Sequence, residues 1–82
     1  ATTKPAQGYE LRSLTNDRLR KYGETTKGAA RYSKKYLKKH NVYIKFVAKG
    51  TKKEMKDWEH QKILAYKAAH NGCRPDLNKS DH

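Results

Sequence analysis

The feature that most constrains this chain is a carboxylate placed inside the apolar face of its clearest helix signal. Thr51, followed three residues later by Glu54, forms a capping box, in which the hydroxyl and the carboxylate each bind a backbone N–H at a helix start. Apolar residues then recur at helical spacing and define one face: Met55, Trp58, Ile63 and Tyr66. Glu59 falls within that face. A carboxylate turned toward a core must be paired or bind a cation, so we expect either a buried ion pair with a Lys or Arg, or a cation site.

The first part of the domain is predicted to be a β-hairpin over residues 8–23. Alternation in YELRSL indicates one strand and RLRKYG indicates a second, with the turn-forming Thr15, Asn16 and Asp17 between them. Residues 1–7 are small and polar and contain Pro5, so we expect a disordered lead-in there. A single domain is therefore predicted over residues 8–82.

A helix, a strand and the second helix are predicted to follow the hairpin. Thr25 and Thr26 are candidate N-caps for a first helix over residues 27–39. Its inner face is predicted to comprise Ala29, Tyr32 and Tyr36. The segment VYIKFVAK, rich in β-branched and aromatic residues, predicts the third strand, and Asn71-Gly72 predicts the end of the second helix. The order β-β-α-β-α predicts a small α/β (α+β) fold in which a three-stranded sheet is flanked by helices.

The charge distribution favours a polyanionic partner. The chain has 20 Lys and Arg against 8 Asp and Glu, a net charge of +12, and no acidic residue lies between Glu24 and Glu54. Such a single-sign region strengthens phosphate binding in a salt-dependent way, although it would also serve as a plain solubility surface. Lys27, Arg31, Lys34 and Lys38 are predicted to form one stripe on the first helix. The residues predicted to bind nucleic acid are Lys27, Lys34, Lys35, Lys38 and Lys45.

Several functional classes are excluded by what the sequence lacks. No apolar run reaches the length of a membrane span, and the lone Cys73 excludes an internal disulfide or a multi-Cys zinc site. There is no Gly-rich phosphate loop, no supported Ser-His-Asp set and no His-x-x-x-His pair. One misplaced carboxylate, several tyrosines and many cations remain. Phosphodiester hydrolysis fits such a set: a carboxylate can anchor Mg²⁺, an Arg can neutralise phosphoryl charge, and a Tyr or Lys can help deprotonate water.

In order and spacing, these residues resemble the GIY-YIG nuclease superfamily, whose hairpin carries two name motifs and whose last helix carries a catalytic Glu. Gly23 resembles the Gly of the second motif, and Arg31 follows eight residues later, which is the spacing of the family's invariant Arg. The segment around Glu59 resembles that of the metal-binding Glu, and Pro75 with Asn78 resembles the closing Pro-x-x-Asn. The resemblance implies an endonuclease that uses a single Mg²⁺ or Mn²⁺ at Glu59.

The departures from the family lie in the name motifs. Gly8-Tyr9 lacks the intervening residue of the first motif, and Tyr9 is identified with its Tyr. The second motif reads Lys21-Tyr22-Gly23, so strict spacing places Lys21 where the family has Tyr, and Tyr22 is the alternative. Plain strand packing remains open for both tyrosines, and a simple turn role remains open for the closing Asn. The catalytic residues implied by the resemblance are Tyr9, Lys21, Tyr22, Arg31, Glu59 and Asn78.

A nuclease domain without an added DNA-reading module also resembles the C-terminal toxin domains of bacterial contact-dependent inhibition and Rhs/YD-repeat proteins. That resemblance implies DNA or tRNA and other RNA as substrate, delivery into the cytoplasm of a target cell, and an acidic immunity protein as partner. We expect a monomer. The alternative from another class is a non-catalytic basic nucleic-acid-binding module, which would tolerate Glu59→Gln and need no metal. A third possibility, an anionic-membrane binder, requires an exposed apolar helix face, whereas the second helix is committed to a core.

Overall fold

The computed structural model describes residues 4–78 and contains one antiparallel three-stranded sheet and two α-helices. The elements are β1 (Pro5–Ser13), β2 (Leu19–Thr25), a 3₁₀ turn (Gly28–Arg31), α1 (Lys34–His40), β3 (Val42–Thr51) and α2 (Lys52–Ala69). The strand order is β2-β1-β3, with β1 central and antiparallel to both neighbours. The predicted α+β class and the β-β-α-β-α order are confirmed.

The predicted hairpin is present, but its first strand is longer than expected. Tyr9 lies opposite Gly23, and Tyr9 and Leu11 are buried, as the alternation predicted. The strand begins at Pro5 because β3 extends to Thr51 and gives residues 5–7 a partner, which no local signal reveals. Residues 5–7 of the expected lead-in therefore belong to the sheet, and residues 1–3 lie outside the described residues.

The core lies on the sheet face that carries Tyr9. Buried Tyr9, Leu11, Tyr32 and Val42 form one cluster, against which partly buried residues of α1 and β3 pack. Successive strand residues point to opposite faces, so Gly8 faces away from this cluster. There the Trp58 ring of α2 lies so close that a Cβ on Gly8 would come within 2.6 Å of it. The sheet is therefore packed on both faces.

The predicted first helix is wrong in its N-terminal half. Thr25 is not an N-cap; it ends β2, is buried, and accepts a hydrogen bond from the backbone of Lys27. Gly28 then adopts a left-handed φ of +58°, which an α-helix cannot contain. The helix starts only at Lys34, where the Ser33 hydroxyl accepts from the Tyr36 N–H at 3.1 Å.

This break changes the predicted inner face and the predicted basic stripe. Ala29 and Ala30 are exposed, whereas Tyr32 is buried and Tyr36 half-buried as expected. The four basic residues of the stripe are divided among the loop, the 3₁₀ turn and α1, so they do not line one helix. Tyr32 lies between the 3₁₀ turn and α1, so helical spacing does not determine where its side chain lies.

The second helix follows the prediction closely. The Glu54 N–H donates to the Thr51 hydroxyl at 3.2 Å, and the Thr51 N–H donates to the Glu54 carboxylate at 2.9 Å, completing the capping box. The buried residues of α2 are Met55, Glu59 and Ile63, spaced four apart. The carboxylate therefore lies in the middle of the helix's most buried line, as the sequence indicated.

The segment after α2 returns to the free edge of the sheet. The second helix, predicted to end at Asn71-Gly72, ends at Ala69 with His70 as its C-cap, and Asn71 and Gly72 follow with left-handed φ values of +56° and +85°. The Leu77 N–H then donates to the Arg20 carbonyl of β2 at 2.9 Å. Covering an edge strand in this way satisfies backbone groups that would otherwise pair with another chain.

Candidate active site

One cavity of about 1010 Å³ opens between the sheet edge, the turn before α1, and α2. Its lining comes from several separate segments of the chain: Tyr9, Lys21, Gly23, Glu24, Arg31, Tyr32, Ser33, Tyr36, Lys56, Glu59, His60, Leu77 and Asn78. Five of the six predicted catalytic residues are among them, and only Tyr22 is not. Folding thus brings together residues from β1, β2, the 3₁₀ turn, α2 and the C-terminal segment.

Tyr9 is fixed at the floor of this cavity by the glycine opposite it. Its ring lies directly over Gly23, where any Cβ would overlap the phenol. The Tyr9 side chain is 1% exposed, and its hydroxyl shares a hydrogen bond of 2.7 Å with the Tyr32 hydroxyl. Burial and this hydrogen bond raise the pKa of Tyr9 well above its ordinary value. Tyr9 is therefore a neutral phenol at physiological pH.

Tyr32 links the other polar groups of the cavity, although its spacing in the sequence predicted only a core role. Lys21 donates from Nζ to the Tyr32 hydroxyl at 2.9 Å, so one oxygen contacts both Lys21 and Tyr9. The Arg31 guanidinium lies 4.5 Å from the centre of the same ring, a cation–π contact. The sequence contained one signal for a site role, namely that Tyr32 directly follows Arg31. Its helical spacing with Tyr36, however, favoured a position in the core.

Tyr22 does not occupy the cavity. Its ring meets Trp58 edge-on, with 5.9 Å between ring centres, and burial raises the pKa of its phenol. Lys21 and Gly23 are two residues apart and share a sheet face, whereas Tyr22 points to the other. Of the two candidates for the second-motif position, the geometry favours Lys21.

Asn78 braces β2 from outside the sheet. Its Oδ1 accepts from the Tyr22 N–H, and its Nδ2 donates to the Tyr22 carbonyl, both at 2.9 Å. The Asn78 backbone N–H also closes a turn on Pro75 at 2.9 Å. The side chain therefore does more than shape a turn, because it fixes the strand position between Lys21 and Gly23.

Glu59 is a buried carboxylate in a mixed electrostatic environment. It is 7% exposed, and its pKa is raised to about 7, first by burial and then by the negative charge of Glu24. Lys21, Lys56 and Lys52 act in the opposite direction. Ionising Glu59 is thus unfavourable in the folded chain, and a bound cation would offset that cost.

Among residues 4–78, the alternative of a buried ion pair between Glu59 and a Lys or Arg, such as Arg31, is not realised. The ion pairs formed among residues 4–78 are Arg12–Glu10, Arg20–Asp76 and Lys52–Glu24, with N–O distances of 2.7, 2.7 and 3.1 Å. Arg31 instead lies over the Tyr32 ring and is exposed. Its guanidinium is therefore open to an incoming anion.

The residues present fit a single hard cation. Within residues 4–78 there is no cluster of three or more His, Cys, Asp or Glu that could hold a metal. Mg²⁺ needs only one or two protein oxygens and keeps its waters, so this does not count against it. Glu59 and Glu24 both line the cavity, and Glu24 is already held by Lys52. Glu59 is consequently the residue that would hold the ion.

The predicted nucleic-acid-binding lysines do not form one surface. Lys34, Lys35 and Lys38 lie on α1, and Lys27 lies in the loop before it. Lys45 is opposite Glu10 on β3, so it lies on the sheet face away from Tyr9. The contiguous basic region expected from α1 and β3 is therefore split across two faces.

Comparison with protein-family models, curated proteins and solved structures finds no match to this chain. The resemblance to GIY-YIG nucleases accordingly rests on the chain's own sequence motifs. Across residues 4–78, neither α-helix combines the length and apolarity that a bilayer crossing requires.

Proposed function

We propose that this domain is a metal-dependent endonuclease of GIY-YIG type that hydrolyses phosphodiester bonds in DNA or RNA. The observation that carries the proposal is the meeting of Tyr9, Lys21, Arg31, Glu59 and Asn78 in one cavity. These residues come from five separate segments, and the sequence alone indicated each of them. A cavity lined by a buried carboxylate, phenols and cations contains the groups that phosphoryl transfer requires.

The residues have distinct roles in this proposal. Arg31, exposed at the cavity, neutralises charge that develops on the phosphoryl oxygens. The Tyr32 oxygen, held by Lys21 and Tyr9, positions the attacking water. Tyr9 itself is too buried, and its pKa too high, to take a proton as a phenolate. It supports the Tyr32 hydroxyl instead, which modifies the role expected for it from the sequence.

Mg²⁺ or Mn²⁺ held at Glu59 would supply Lewis-acid stabilisation of the phosphate and of the leaving oxygen. The protein's own part is to hold Glu59 beside Lys21, Lys56 and Lys52, which partly offset the cost of ionising it, and to shield it from bulk water. Asn78 keeps β2, and with it Lys21, in register.

The test is an incubation of the domain with plasmid DNA and with total tRNA, in Mg²⁺ or in EDTA. Wild type is compared with Glu59→Gln, and Asp57→Asn serves as a matched control because it removes one carboxylate from an exposed position on the same helix. We expect cleavage that requires both Mg²⁺ and Glu59 and that Asp57→Asn preserves. Cleavage by Glu59→Gln at the wild-type rate would contradict the proposal, and cleavage in EDTA would remove the metal from it.

The alternative is the non-catalytic nucleic-acid-binding module, which the net charge of +12 supports equally. It predicts salt-sensitive binding with no turnover of either substrate. The toxin context is proposed on the same charge: an acidic immunity protein would complement the basic surface and block the cavity. Delivery to a target-cell cytoplasm is part of that proposal.

A further inference from the structure

A second, smaller cleft of about 400 Å³ borders β2 and shares no lining residue with the cavity. Its lining includes three arginines, Arg18, Arg20 and Arg74, against one carboxylate, that of Asp76. Among the described residues that line this concave site, guanidinium groups therefore outnumber carboxylates. Such a site attracts phosphate, which guanidinium groups bind bidentately.

Arg20 is already oriented within the cleft. Its Nε donates to both oxygens of Asp76, at 2.7 and 2.9 Å, and its Nη1 donates to the His40 carbonyl at 3.4 Å. The Arg20 side chain is 28% exposed. A guanidinium held in this way loses little further freedom on binding an anion, so it is a preorganised contact.

The wall of the cleft carries an aromatic plane. Tyr66 stacks on His70, with ring centres 3.7 Å apart and an angle of 7° between the planes. The His70 Nδ1 lies 2.8 Å from the Tyr66 carbonyl, which fixes the stack on the helix. Nucleobases stack on such planes regardless of sequence, and base stacking next to basic groups is typical of single-strand binding.

We propose that this cleft binds one nucleotide of a single-stranded polynucleotide, another phosphate of which lies in the cavity. Arg20 and Lys21 are neighbours on β2, and one lines the cleft while the other lines the cavity. Likewise, Asp76 lines the cleft and its neighbour Leu77 lines the cavity. β2 and the segment covering its edge thus form a ridge that one strand crosses, with a phosphate on the arginines and a base on Tyr66.

This inference rests on the nucleic-acid part of the proposed function and is independent of cleavage. It is tested by fluorescence anisotropy on the Glu59→Gln background, with fluorescein-labelled oligothymidylate, oligouridylate and a DNA duplex as probes. Arg18→Gln/Arg74→Gln is compared with Lys53→Gln/Lys62→Gln, which removes two exposed charges from α2 that line neither cavity. Thermal unfolding of each variant checks that the fold is retained.

We expect the arginine pair to weaken single-strand binding at least tenfold. It should also reduce the salt slope by about 0.7, the contribution of the one phosphate that is no longer neutralised. The lysine pair should change neither quantity by a comparable amount. Tyr66→Leu should lower single-strand affinity while leaving duplex affinity unchanged.

Equal effects of the arginine and lysine pairs, or equal effects of Tyr66→Leu on both probes, would overturn the proposal. One further outcome is that wild type fails to cleave while Arg18→Gln/Arg74→Gln still weakens single-strand binding as expected. That combination contradicts the proposed nuclease function and supports the assignment of the cleft.

Discussion

The hydroxyl of Tyr9 lies 2.7 Å from the hydroxyl of Tyr32, 23 positions further along the chain. This contact joins the central strand to the turn that precedes α1. Lys21 donates to the same Tyr32 oxygen from the neighbouring strand. The Tyr32 oxygen therefore holds β1, β2 and the turn before α1 together at the cavity, and the geometry of the site depends on these two contacts.

Replacing Tyr32 by Phe tests that dependence. The ring contacts with Tyr9, Tyr36 and Arg31 remain, so the fold should be retained, whereas the oxygen that binds Lys21 is removed. We expect cleavage to fall roughly 100-fold, the loss that misplacing the attacking water would cause, with nucleic-acid affinity little changed. Single-turnover kinetics and anisotropy measure the two separately.

Tyr43→Phe is the matched control, because it also removes a hydroxyl, one bonded to Asp17 and outside the cavity lining. It should leave the cleavage rate within about twofold of wild type, since every cavity group keeps its partner. A Tyr32→Phe variant as active as Tyr43→Phe would show that the shared oxygen has no part in the reaction.

Gly23→Ala should disrupt the same site by steric means. The added Cβ would overlap the Tyr9 phenol, so either the ring or β2 must move. We expect a decrease of about 1–3 kcal/mol in the free energy of unfolding, as for other overpacked sites, together with a loss of cleavage. Gly72→Ala is the comparison: it has an open surrounding and a φ of +85°, so it should lower stability through backbone strain alone and leave cleavage intact. Chemical denaturation and the plasmid assay measure both variants.

What could be predicted from the sequence was local in origin. The capping box at Thr51, the four-residue spacing of Met55, Glu59 and Ile63, and the alternation around Tyr9 each act within one element. The alternation of strand residues also places Lys21 and Gly23 on one sheet face and Tyr22 on the other. It could therefore have excluded Tyr22 from the site before the structure was known.

What could not be predicted depends on contacts distant in sequence or on competing local signals. Tyr32 meets Tyr9 and Lys21 only after the chain folds, and no periodicity marks such a contact. The sequence indicated Thr25 and Thr26 as N-caps, but the left-handed Gly28 prevents a helix from following them, and the observed N-cap is Ser33. The edge contact of Asn78 likewise depends on where the chain returns after α2.

Asn78→Asp tests whether Asn78 supports β2 or contacts the substrate. The Asp carboxylate still accepts from the Tyr22 N–H, but it cannot donate to the Tyr22 carbonyl. We expect a decrease of about 1–2 kcal/mol in the free energy of unfolding and a lower kcat with a nearly unchanged KM, because Lys21 shifts with its strand. Asn71→Asp, the same change at an exposed position that lines neither the cavity nor the smaller cleft, should leave kcat unchanged. A raised KM at constant kcat for Asn78→Asp would indicate a substrate contact in place of a brace.

The burial of Glu59 should make the stability of the fold depend on pH. Its folded-state pKa of about 7 lies above the ordinary value of 4.5, so the unfolded chain releases this proton more readily. Glu59 therefore makes the folded state progressively less stable as the pH rises from about 4.5 to 7, by an amount on the order of 1–3 kcal/mol. Glu59→Gln has no such proton, and its stability should exceed that of wild type above pH 7 while matching it near pH 4.5. Chemical denaturation across this pH range measures both chains.

Mg²⁺ then distinguishes a cation site from a merely buried carboxylate. A cation that binds ionised Glu59 stabilises the folded chain, so millimolar Mg²⁺ should raise the wild-type melting temperature at pH 8 and have little effect at pH 5, where Glu59 is protonated. Glu59→Gln should show no Mg²⁺ response at either pH, whereas Asp57→Asn should respond as wild type does. Differential scanning calorimetry at the two pH values gives these comparisons. If Glu59→Gln still responds to Mg²⁺, the cation binds at another site. If wild type does not respond to Mg²⁺, Glu59 is a buried carboxylate whose raised pKa suits it to act as a general base.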